Sequence, residues 1–188
     1  MADHHLKPLS PLGRAIALTE TAGPVTIAEV TDTALASLAA RMGRDSDVTQ
    51  AAETAGIPLP GPGRHLQGAV FGTFWLGPQH WMVEAPFASH EEIATLLRAV
   101  FGAAASVTEQ TDAWARFDVA APDLPPLFER LCAFDLRGAV PGAATRTVID
   151  HLGCYLILRA PELVSVLGPR SSAQSLHHAL ITAARSAF

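Results

Sequence analysis

The chain has 188 residues, of which 49% are hydrophobic and 16% are charged, and its formal net charge is −5. Such a composition is typical of a globular protein with one large domain or two small ones, and it excludes an intrinsically disordered chain. Because there is no basic cluster, no secretory leader and no apolar run near the roughly 20 residues that span a membrane, we expect neither nucleic acid nor membrane as a partner.

Residues 1–13 are predicted to form an extended arm, because Pro8 and Pro11 favour extended backbone. The arm is either disordered or docked on a surface, and the sequence leaves both open. Three leucines could dock it: Leu6, Leu9 and Leu12. Two short strands are then expected at residues 14–19 and 25–30, separated by a turn that contains Gly and Pro.

The next segment has the spacing of an amphipathic helix. Thr33 and the two residues before it offer N-cap groups, apolar side chains recur at i, i+3, i+4 and i+7, and Gly43 ends the pattern. The apolar stripe consists of Leu35, Leu38, Ala39 and Met42. A second short helix is predicted over residues 47–55 with Gly56 as its C′ residue, followed by an irregular loop at residues 57–63.

Residues 69–86, AVFGTFWLGPQHWMVEAP, predict a β-hairpin at the centre of the first half, with Gly77 and Pro78 in the turn. Both faces of its first strand are apolar, with Phe74 on one face and Trp75 on the other. A hairpin of this kind has to be covered on both sides. We therefore expect helices of the chain on one face and contact with another subunit on the other.

Two further elements complete the first half and begin the second. Ser89 and Glu92 have the spacing of a capping box, which predicts a helix over residues 90–101 that Gly102 closes. Its apolar residues repeat at helical spacing along the whole segment. One or two strands are then expected within residues 106–119.

The rest of the chain continues this alternation. Asp123 is predicted to cap a helix whose first turn tolerates Pro125 and Pro126. Beyond it we expect a loop, a hairpin, a strand and a last helix, in that order: residues 134–144, 145–160, 163–167 and 172–186. The hairpin is predicted to turn near Leu152, and Ser171 begins a second capping box.

The order strand, helix, hairpin, helix occurs twice. VTIAEV followed by ALASLAARM matches AWARFDV followed by LPPLFERLC, and the hairpins that end at Pro86 and Pro161 match each other. The sequence therefore predicts an α+β fold of two similar units, residues 14–104 and 105–188, each with a small antiparallel sheet and helices on one face. The two units are closely packed and can count as one domain.

The side chains that commonly carry metal or nucleophile chemistry show no recognisable pattern. The histidines lack HxxxH or HExxH spacing, and we interpret them as surface or polar-core residues. They are His4, His5, His65, His80, His90, His151, His177 and His178. Cys132 and Cys154 lie in apolar segments without a CxxC or nucleophile signature, which indicates buried, unreactive thiols in a reduced cytoplasmic protein.

Phosphate binding and acid–base catalysis are no better supported. Arg170 lies beside the N-terminus of the last helix, where an anion could bind, but the same residues make an ordinary strand-to-helix turn, and no GxGxxG or P-loop occurs. The candidate carboxylates are scattered: Asp112, Asp118, Asp135 and Asp150. We therefore predict no catalytic, cofactor-binding or metal-binding residue in this chain.

Several short motifs occur in order along nearly the whole chain. They are Ser10-Pro11-Leu12, Leu59-Pro60, Trp75-Leu76-Gly77-Pro78 with Trp81, Thr111-Asp112-Ala113, Cys132-Ala133-Phe134-Asp135-Leu136, Gly142 with Thr147, and Arg170-Ser171-Ser172-Ala173-Gln174-Ser175-Leu176. Together they resemble the gamma subunit of the heterotetrameric sarcosine oxidases. One departure is Gln79-His80, where the resemblance leads us to expect acidic residues.

The resemblance implies a fold similar to the folate-binding portion of the glycine-cleavage aminomethyltransferases. It implies a complex of alpha, beta, gamma and delta subunits that oxidatively demethylates sarcosine to glycine, hydrogen peroxide and, with tetrahydrofolate, methylenetetrahydrofolate. In that family the FAD, the FMN, the NAD and the folate site belong to the two large subunits. The gamma subunit resembles a non-catalytic structural subunit, so no cofactor is expected in this chain.

Two other hypotheses remain open at this point. One is a stand-alone tetrahydrofolate-binding enzyme or repair protein of the same fold. Gly153-Cys154-Tyr155 resembles a motif of one such group, but that motif begins with Lys and continues with Gly-Gln, whereas Leu152 precedes and Leu156-Ile157 follows in this chain. The other hypothesis is an interaction module of an unrelated oxidase.

Overall fold

A computed structural model describes residues 7–188. Within that range the chain forms eleven strands and five α-helices. The strands are β1 (Thr19–Ala22), β2 (Val25–Val30), β3 (Thr33–Ala40), β4 (His65–Gln67), β5 (Gly72–Gly77), β6 (His80–Pro86), β7 (Ala105–Glu109), β8 (Trp114–Ala120), β9 (Ala144–Ile149), β10 (Leu152–Ala160) and β11 (Leu163–Pro169). The helices are α1 (Asp45–Ala55), α2 (Phe87–His90), α3 (Ile93–Phe101), α4 (Pro125–Leu131) and α5 (Ala173–Ala187). None of these described helices is long and apolar enough to cross a membrane.

The strands form two sheets in which every described pair is antiparallel. The first sheet has the order β4-β5-β6-β3-β7, and the second has the order β1-β2-β8-β11-β10-β9. Helices α1 and α3 pack on the outer face of the first sheet, and α4 and α5 pack on the outer face of the second. The predicted α+β architecture of two units, each with helices on one face of an antiparallel sheet, is confirmed.

The inner faces of the two sheets pack against each other. In β6, Trp81 and Val83 point towards the helices, whereas Met82 points towards the opposite sheet. An inter-sheet core of buried side chains results, formed by Leu35, Phe74, Met82, Ala144, Ile157 and Leu167. The molecule therefore has four layers, in the order helices, sheet, sheet, helices, and its central strands are apolar on both faces.

The predicted central hairpin is the pair β5–β6, and its existence is confirmed. Phe74 on its inner face has no exposed surface, and its ring centroid lies 5.4 Å from that of Tyr155 in β10. The expectation that another subunit covers this face is wrong, because the second sheet of the same chain covers it. Trp75 on the outer face packs with the helical layer, as expected.

The prediction of a helix that ends at Gly43 is wrong, because Thr33–Ala40 forms β3. This strand pairs with β6 on one side and β7 on the other. Leu35 points into the inter-sheet core and Leu38 points towards the helices, and both are buried. Alanine-rich segments favour helix locally, but a central strand that is buried on both faces accepts small apolar residues at every position.

The internal repeat is shifted from the predicted match. The series β3, α1, β4, β5, β6, α3 corresponds to β8, α4, β9, β10, β11, α5, so TALASLAA matches WARFDVA, and the hairpin β5–β6 matches β10–β11. The strand beside β3 is β7, whereas the strand beside β8 is β2. The predicted division at residue 104 therefore does not separate the two sheets. β2, which precedes it, belongs to the second sheet, and β7, which follows it, belongs to the first.

Several predicted element boundaries change. β1 begins at Thr19 rather than at residue 14. Within the described part of the chain, Ser89, Asp123 and Ser171 make no capping hydrogen bond to α3, α4 or α5. Instead, Glu109 Oε2 of β7 accepts a hydrogen bond from Ala94 N at 3.2 Å, in the first turn of α3. A distant carboxylate therefore satisfies a helix end that local sequence was expected to cap.

Two of the three predicted helix ends at glycine are confirmed, those at Gly56 and Gly102. Gly56 follows α1 with a φ of 68°, and its amide bonds back into the last turn of the helix. Gly102 follows α3 with a φ of 50°. Both backbones lie in the region that glycine adopts without strain, which explains why these two residues mark the ends reliably.

The described part of the N-terminal arm is docked on the second sheet. Leu12 N donates to Glu29 Oε1 at 2.9 Å, and Leu18 N donates to Glu29 Oε2 at 3.0 Å. Arg170 Nη2 donates to Leu9 O at 2.9 Å. The buried carboxylate of Glu29 in β2 thus holds the chain on both sides of residue 14. Leu6 lies outside the described residues.

The hairpin β9–β10 turns at Asp150 and His151, just before the predicted position. Their φ values are 47° and 66°, in the left-handed region. Side chains with a Cβ are strained there by about 1–2 kcal/mol, and tight hairpin turns of this kind favour Asn-Gly. The turn therefore carries backbone strain that glycine would remove.

We expect His151→Gly to raise the free energy of unfolding by about 0.5 to 1 kcal/mol, measured by urea denaturation, since relief of strain exceeds the entropy that glycine adds to the unfolded chain. His178→Gly is the matched control, because His178 is exposed within helix α5. That variant should instead lose about 1 kcal/mol. A loss of stability in His151→Gly would contradict the claim that the backbone at residue 151 is strained.

Candidate functional site

The residues considered as candidate chemistry lie mostly apart. Asp112 Oδ1 is 3.3 Å from Arg170 Nη1, and Asp135 Oδ1 accepts a hydrogen bond from Gly138 N at 3.1 Å. Across residues 7–188, no group of three or more His, Cys, Asp or Glu side chains is placed to hold a metal ion. His4 and His5 lie outside the described residues. The guanidinium of Arg170, just before α5, therefore contacts both Asp112 and Leu9 of the arm.

The two cysteines are free thiols in different settings. Cys154 is buried in β10, and burial raises its pKa to about 11. Its thiol therefore stays protonated at neutral pH and is a weak nucleophile. Cys132, at the C-terminal end of α4, is half-buried. The prediction of a buried, unreactive thiol is confirmed for Cys154, whereas Cys132 is more accessible than expected.

Sequence reasoning missed a cluster of polar side chains that both sheets contribute at one end of the inter-sheet core. We call it the inter-sheet ion cluster. Its members are His65 of β4, Glu84 of β6, Arg116 and Asp118 of β8, Arg159 of β10 and Ser165 of β11. A cleft of about 370 Å³ between the sheets opens onto Glu84, Arg116 and Arg159.

Glu84 is the centre of the cluster, and its side chain is only 6% exposed. Its Oε2 accepts a hydrogen bond from Arg159 Nη2 at 2.9 Å, and its Oε1 contacts Arg159 Nη1. His65 Nε2 lies 2.9 Å from Glu84 Oε1 and 2.6 Å from Arg159 Nη1. The carboxylate and the guanidinium form a two-bond pair across the sheet interface, which is the strong geometry for such pairs.

A second pair supports the first from β8. Arg116 Nε and Nη2 donate to the two oxygens of Asp118 at 2.8 and 2.9 Å. Ser165 links the pairs, because its hydroxyl donates to Asp118 Oδ1 at 2.6 Å and accepts from Arg159 Nε at 2.9 Å. Arg116 Nη1 lies 3.9 Å from Glu84 Oε2. Two cations and two carboxylates therefore compensate each other within one buried network.

The backbone is adapted to this network at two places. Gly72 lies opposite Glu84 in the β5–β6 pair, and a Cβ at residue 72 would lie 2.6 Å from Glu84 Oε1. Near His65 the two sheets are joined by backbone hydrogen bonds: His65 N donates to Gly142 O at 2.8 Å, and Ala144 N donates to Gly63 O at 2.9 Å. The carboxylate thus occupies space that any other residue at position 72 would fill.

The electrostatics keep the cluster charged. Burial would raise the pKa of Glu84, but hydrogen bonds from His65 and Arg159 and the charges of Arg159 and Arg116 outweigh it and hold that pKa well below its usual range. Burial would lower the pKa of Arg116, but its bonds to Asp118 outweigh that effect and raise it. The Glu84 carboxylate is therefore not placed to take a proton near neutral pH, and its geometry is that of a structural link between the two sheets rather than that of a general base.

A weak sequence signal for the cluster exists. Glu84 and Arg159 occupy inward-facing positions next to apolar inward positions, Met82 in β6 and Ile157 in β10. An isolated charge in such a strand indicates a buried pair, because an unpaired buried charge is too costly. The partner could not be identified without the order of strands, since Glu84 and Arg159 belong to different sheets.

Two histidines away from the cluster have lowered pKa values. Burial lowers the pKa of His177 in α5, and the charge of Glu20 opposes this only in part. His177 Nε2 has no hydrogen-bond partner among residues 7–188, and it lies 3.6 Å from Glu20 Oε2. Burial also lowers the pKa of His80 in β6. Both side chains are therefore more easily protonated in the unfolded chain than in the folded one.

We expect the free energy of unfolding to fall as the pH falls below the ordinary histidine pKa of 6.5, because the unfolded state then binds more protons. Urea denaturation one pH unit above and one below that value measures the change. His177→Gln should make the dependence shallower, whereas the exposed neighbour His178→Gln should leave it unchanged. Equal dependence in these two variants would contradict the assignment to His177.

Comparison with known proteins gives structural matches only. No family model and no curated protein matches the sequence. The structure is similar to a chain of the heterotetrameric sarcosine oxidase from Corynebacterium sp. U-96, with a TM-score of 0.76 and 21% identity over 89% of this chain and 88% of that chain. It is also similar to the glycine cleavage system aminomethyltransferase T from Bartonella henselae, with a TM-score of 0.58 and 12% identity over 84% of this chain.

These likenesses show the fold. The chain covers 48% of the aminomethyltransferase, whereas it matches most of the sarcosine oxidase chain, so the latter has nearly the same length. The predicted similarity of fold to the aminomethyltransferases is confirmed.

Proposed function

We propose that this chain is a non-catalytic structural subunit, of the gamma type, in a cytoplasmic heterotetrameric sarcosine oxidase. The observation that carries the proposal is the match to a sarcosine oxidase chain over 88–89% of both chains. A chain of this length corresponds to a small subunit rather than to either large one. The ordered motifs from Ser10 to Leu176 support the same assignment.

The inter-sheet ion cluster supports a structural role. Glu84 and Asp118 each hold a guanidinium through two contacts. The hydroxyl of Ser165 links the two pairs, because it donates to Asp118 and accepts from Arg159. Groups that satisfy one another in this way stabilise a scaffold and are poorly suited to proton transfer. Under this proposal FAD, FMN, NAD and tetrahydrofolate are held by the partner subunits.

Co-expression tests the assembly. A tagged copy of this chain is produced together with the candidate alpha, beta and delta chains of the same organism, and the purified material is assayed for flavin absorbance and for sarcosine-dependent peroxide. We expect one yellow, active complex that contains all four chains. An unrelated tagged protein of similar size is the control. Recovery of this chain free of the other three would contradict the proposal.

Two further measurements separate a structural subunit from an active one. In the complex, His65→Gln is expected to lower thermal stability while sarcosine turnover per complex stays within about twofold. A large loss of turnover in a fully assembled complex would indicate a catalytic role. Calorimetry of the isolated chain with tetrahydrofolate tests the stand-alone alternative, and micromolar binding would favour that alternative over the structural subunit.

A further inference from the structure

A cavity of about 280 Å³ lies beneath the N-terminal arm, and Arg116 lines both this cavity and the cleft described above. We call it the arm cavity. We propose that the arm cavity binds a small organic monoanion, a carboxylate attached to an apolar body. This inference goes beyond the proposed function, because it concerns a ligand of this chain itself.

The apolar part of the lining comes from four separate elements. The arm supplies Leu9 and Pro11, β3 supplies Leu35, β8 supplies Trp114, and the start of α2 supplies Phe87. Leu35 is buried, while Leu9 is exposed on its outer side. A concave, mostly apolar surface with two aromatic rings is the usual composition of a small-molecule site.

The aromatic wall is held in place before any ligand binds. Trp114 Nε1 donates to Gln110 Oε1 at 3.2 Å, and the Trp114 ring packs edge-on against Tyr155 with 5.2 Å between ring centroids. A wall that is already ordered costs little additional entropy when a ligand binds.

Two guanidinium groups provide the charge. Arg116 uses Nε and Nη2 on Asp118, but among residues 7–188 its Nη1 has only long contacts, 3.4 Å to Thr33 Oγ1 and 3.9 Å to Glu84 Oε2. Arg170 Nη1 lies 3.3 Å from Asp112, whose side chain is 90% exposed. Contacts this long or this exposed contribute little and are readily exchanged for a ligand carboxylate.

The lining charges favour a monoanion over a dianion. Arg116 and Arg170 both line the cavity; Asp118 occupies Nε and Nη2 of Arg116, and the exposed Asp112 is the partner of Arg170. A ligand can therefore recruit one charge, that of Arg170 once Asp112 turns to solvent, together with the Nη1 donor of Arg116. One carboxylate neutralises that charge, whereas a phosphate dianion would exceed it.

The volume limits the size of the ligand. A cavity of about 280 Å³ has the volume of roughly nine water molecules at about 30 Å³ each, which suits an organic molecule of about ten non-hydrogen atoms. Phenylacetate has this size, an aromatic body and one carboxylate. Phenylacetamide has the same shape without the charge, so the pair separates recognition of the anion from burial of the ring.

Calorimetry of the full isolated chain with both probes tests the proposal. We expect saturable, one-to-one binding of phenylacetate, and at least about tenfold weaker binding of phenylacetamide. Arg170→Gln should weaken phenylacetate binding about tenfold or more. Arg185→Gln is the matched control, since Arg185 contacts Glu20 from α5 and does not line the cavity.

Because Arg170 also holds the arm at Leu9, a second variant tests the position of the site without altering a charge or that contact. Ala17→Leu adds bulk to the lining without changing any charge and should abolish binding of both probes. Circular dichroism and thermal melts establish that each variant is folded. Absence of phenylacetate binding to the unaltered chain, equal affinity for the two probes, or unchanged affinity in Arg170→Gln would each overturn the proposal, whether or not the chain assembles into an oxidase.

Discussion

Replacing Glu84 with glutamine is expected to lower the free energy of unfolding by about 3 to 5 kcal/mol. The substitution keeps the shape of the side chain but removes the negative charge between Arg159 and Arg116, whose side chains are only 13% and 17% exposed. One buried positive charge is then left without compensation, and its desolvation is no longer offset. Urea denaturation of the purified chain measures the loss.

The controls for this prediction are an exposed pair and a double variant. Glu129→Gln breaks the pair with Arg137, in which both side chains are more than half exposed, and should leave stability nearly unchanged. Glu84→Gln combined with Arg159→Leu removes the charge and its partner together, so its loss should be smaller than the sum of the single losses. Additive losses would show that Glu84 and Arg159 are not energetically coupled.

The same carboxylate has a consequence in acid. Because the folded pKa of Glu84 lies below its ordinary value of 4.5, its contribution is fully present above that value and is lost as the pH falls towards the folded pKa. Unfolding curves below the ordinary value should therefore be less pH-dependent for Glu84→Gln than for the unaltered chain. Identical slopes would mean that other carboxylates dominate acid unfolding.

Truncating Phe74 to alanine is expected to cost about 3 to 5 kcal/mol in the isolated chain, because it leaves a cavity in the inter-sheet core. Phe74 has no exposed surface and packs on Tyr155 of the opposite sheet. If another subunit covered this face instead, the free energy of unfolding of the isolated chain would hardly change, and only the assembled complex would lose stability. Urea denaturation of the chain alone distinguishes the two cases.

Leu96→Ala is the control for the Phe74 variant. Leu96 lies on α3 and is 45% exposed, so its truncation should cost well under 1 kcal/mol in the isolated chain. A cost for Phe74→Ala as small as that for Leu96→Ala would contradict the packing of the two inner sheet faces.

Local patterns predicted most elements of the fold correctly. The hairpin β5–β6 has apolar strands and turn residues that agree with each other, helix α1 ends at Gly56, and helix α5 has apolar residues at helical spacing. β3 was mistaken for a helix because Leu35 and Leu38 are three positions apart, a spacing that fits one helix face as well as the two faces of a buried strand. Only the pairing with β6 and β7 decides between them.

The pairing of side chains within the inter-sheet ion cluster could not be predicted, for a related reason. Glu84, Arg116 and Arg159 are brought together by packing one sheet on another, and nothing in their local segments encodes that contact. Likewise, Glu109 satisfies the first turn of α3 from a strand, while the local candidate Ser89 bonds elsewhere. At the start of α3, a tertiary partner therefore takes the place of the local one.

The exchange of β2 and β7 between the two sheets determines the order in which a growing chain can fold. As the polypeptide leaves the ribosome, β1 and β2 emerge first, yet β2 has no place in a sheet until β8 has been synthesised. The first sheet can close earlier, once β7 emerges beside β3. The nascent N-terminal hairpin therefore remains an unprotected edge for about half of translation, from the end of β2 to the end of β8. Chaperones or an already folded partner would matter most at that stage.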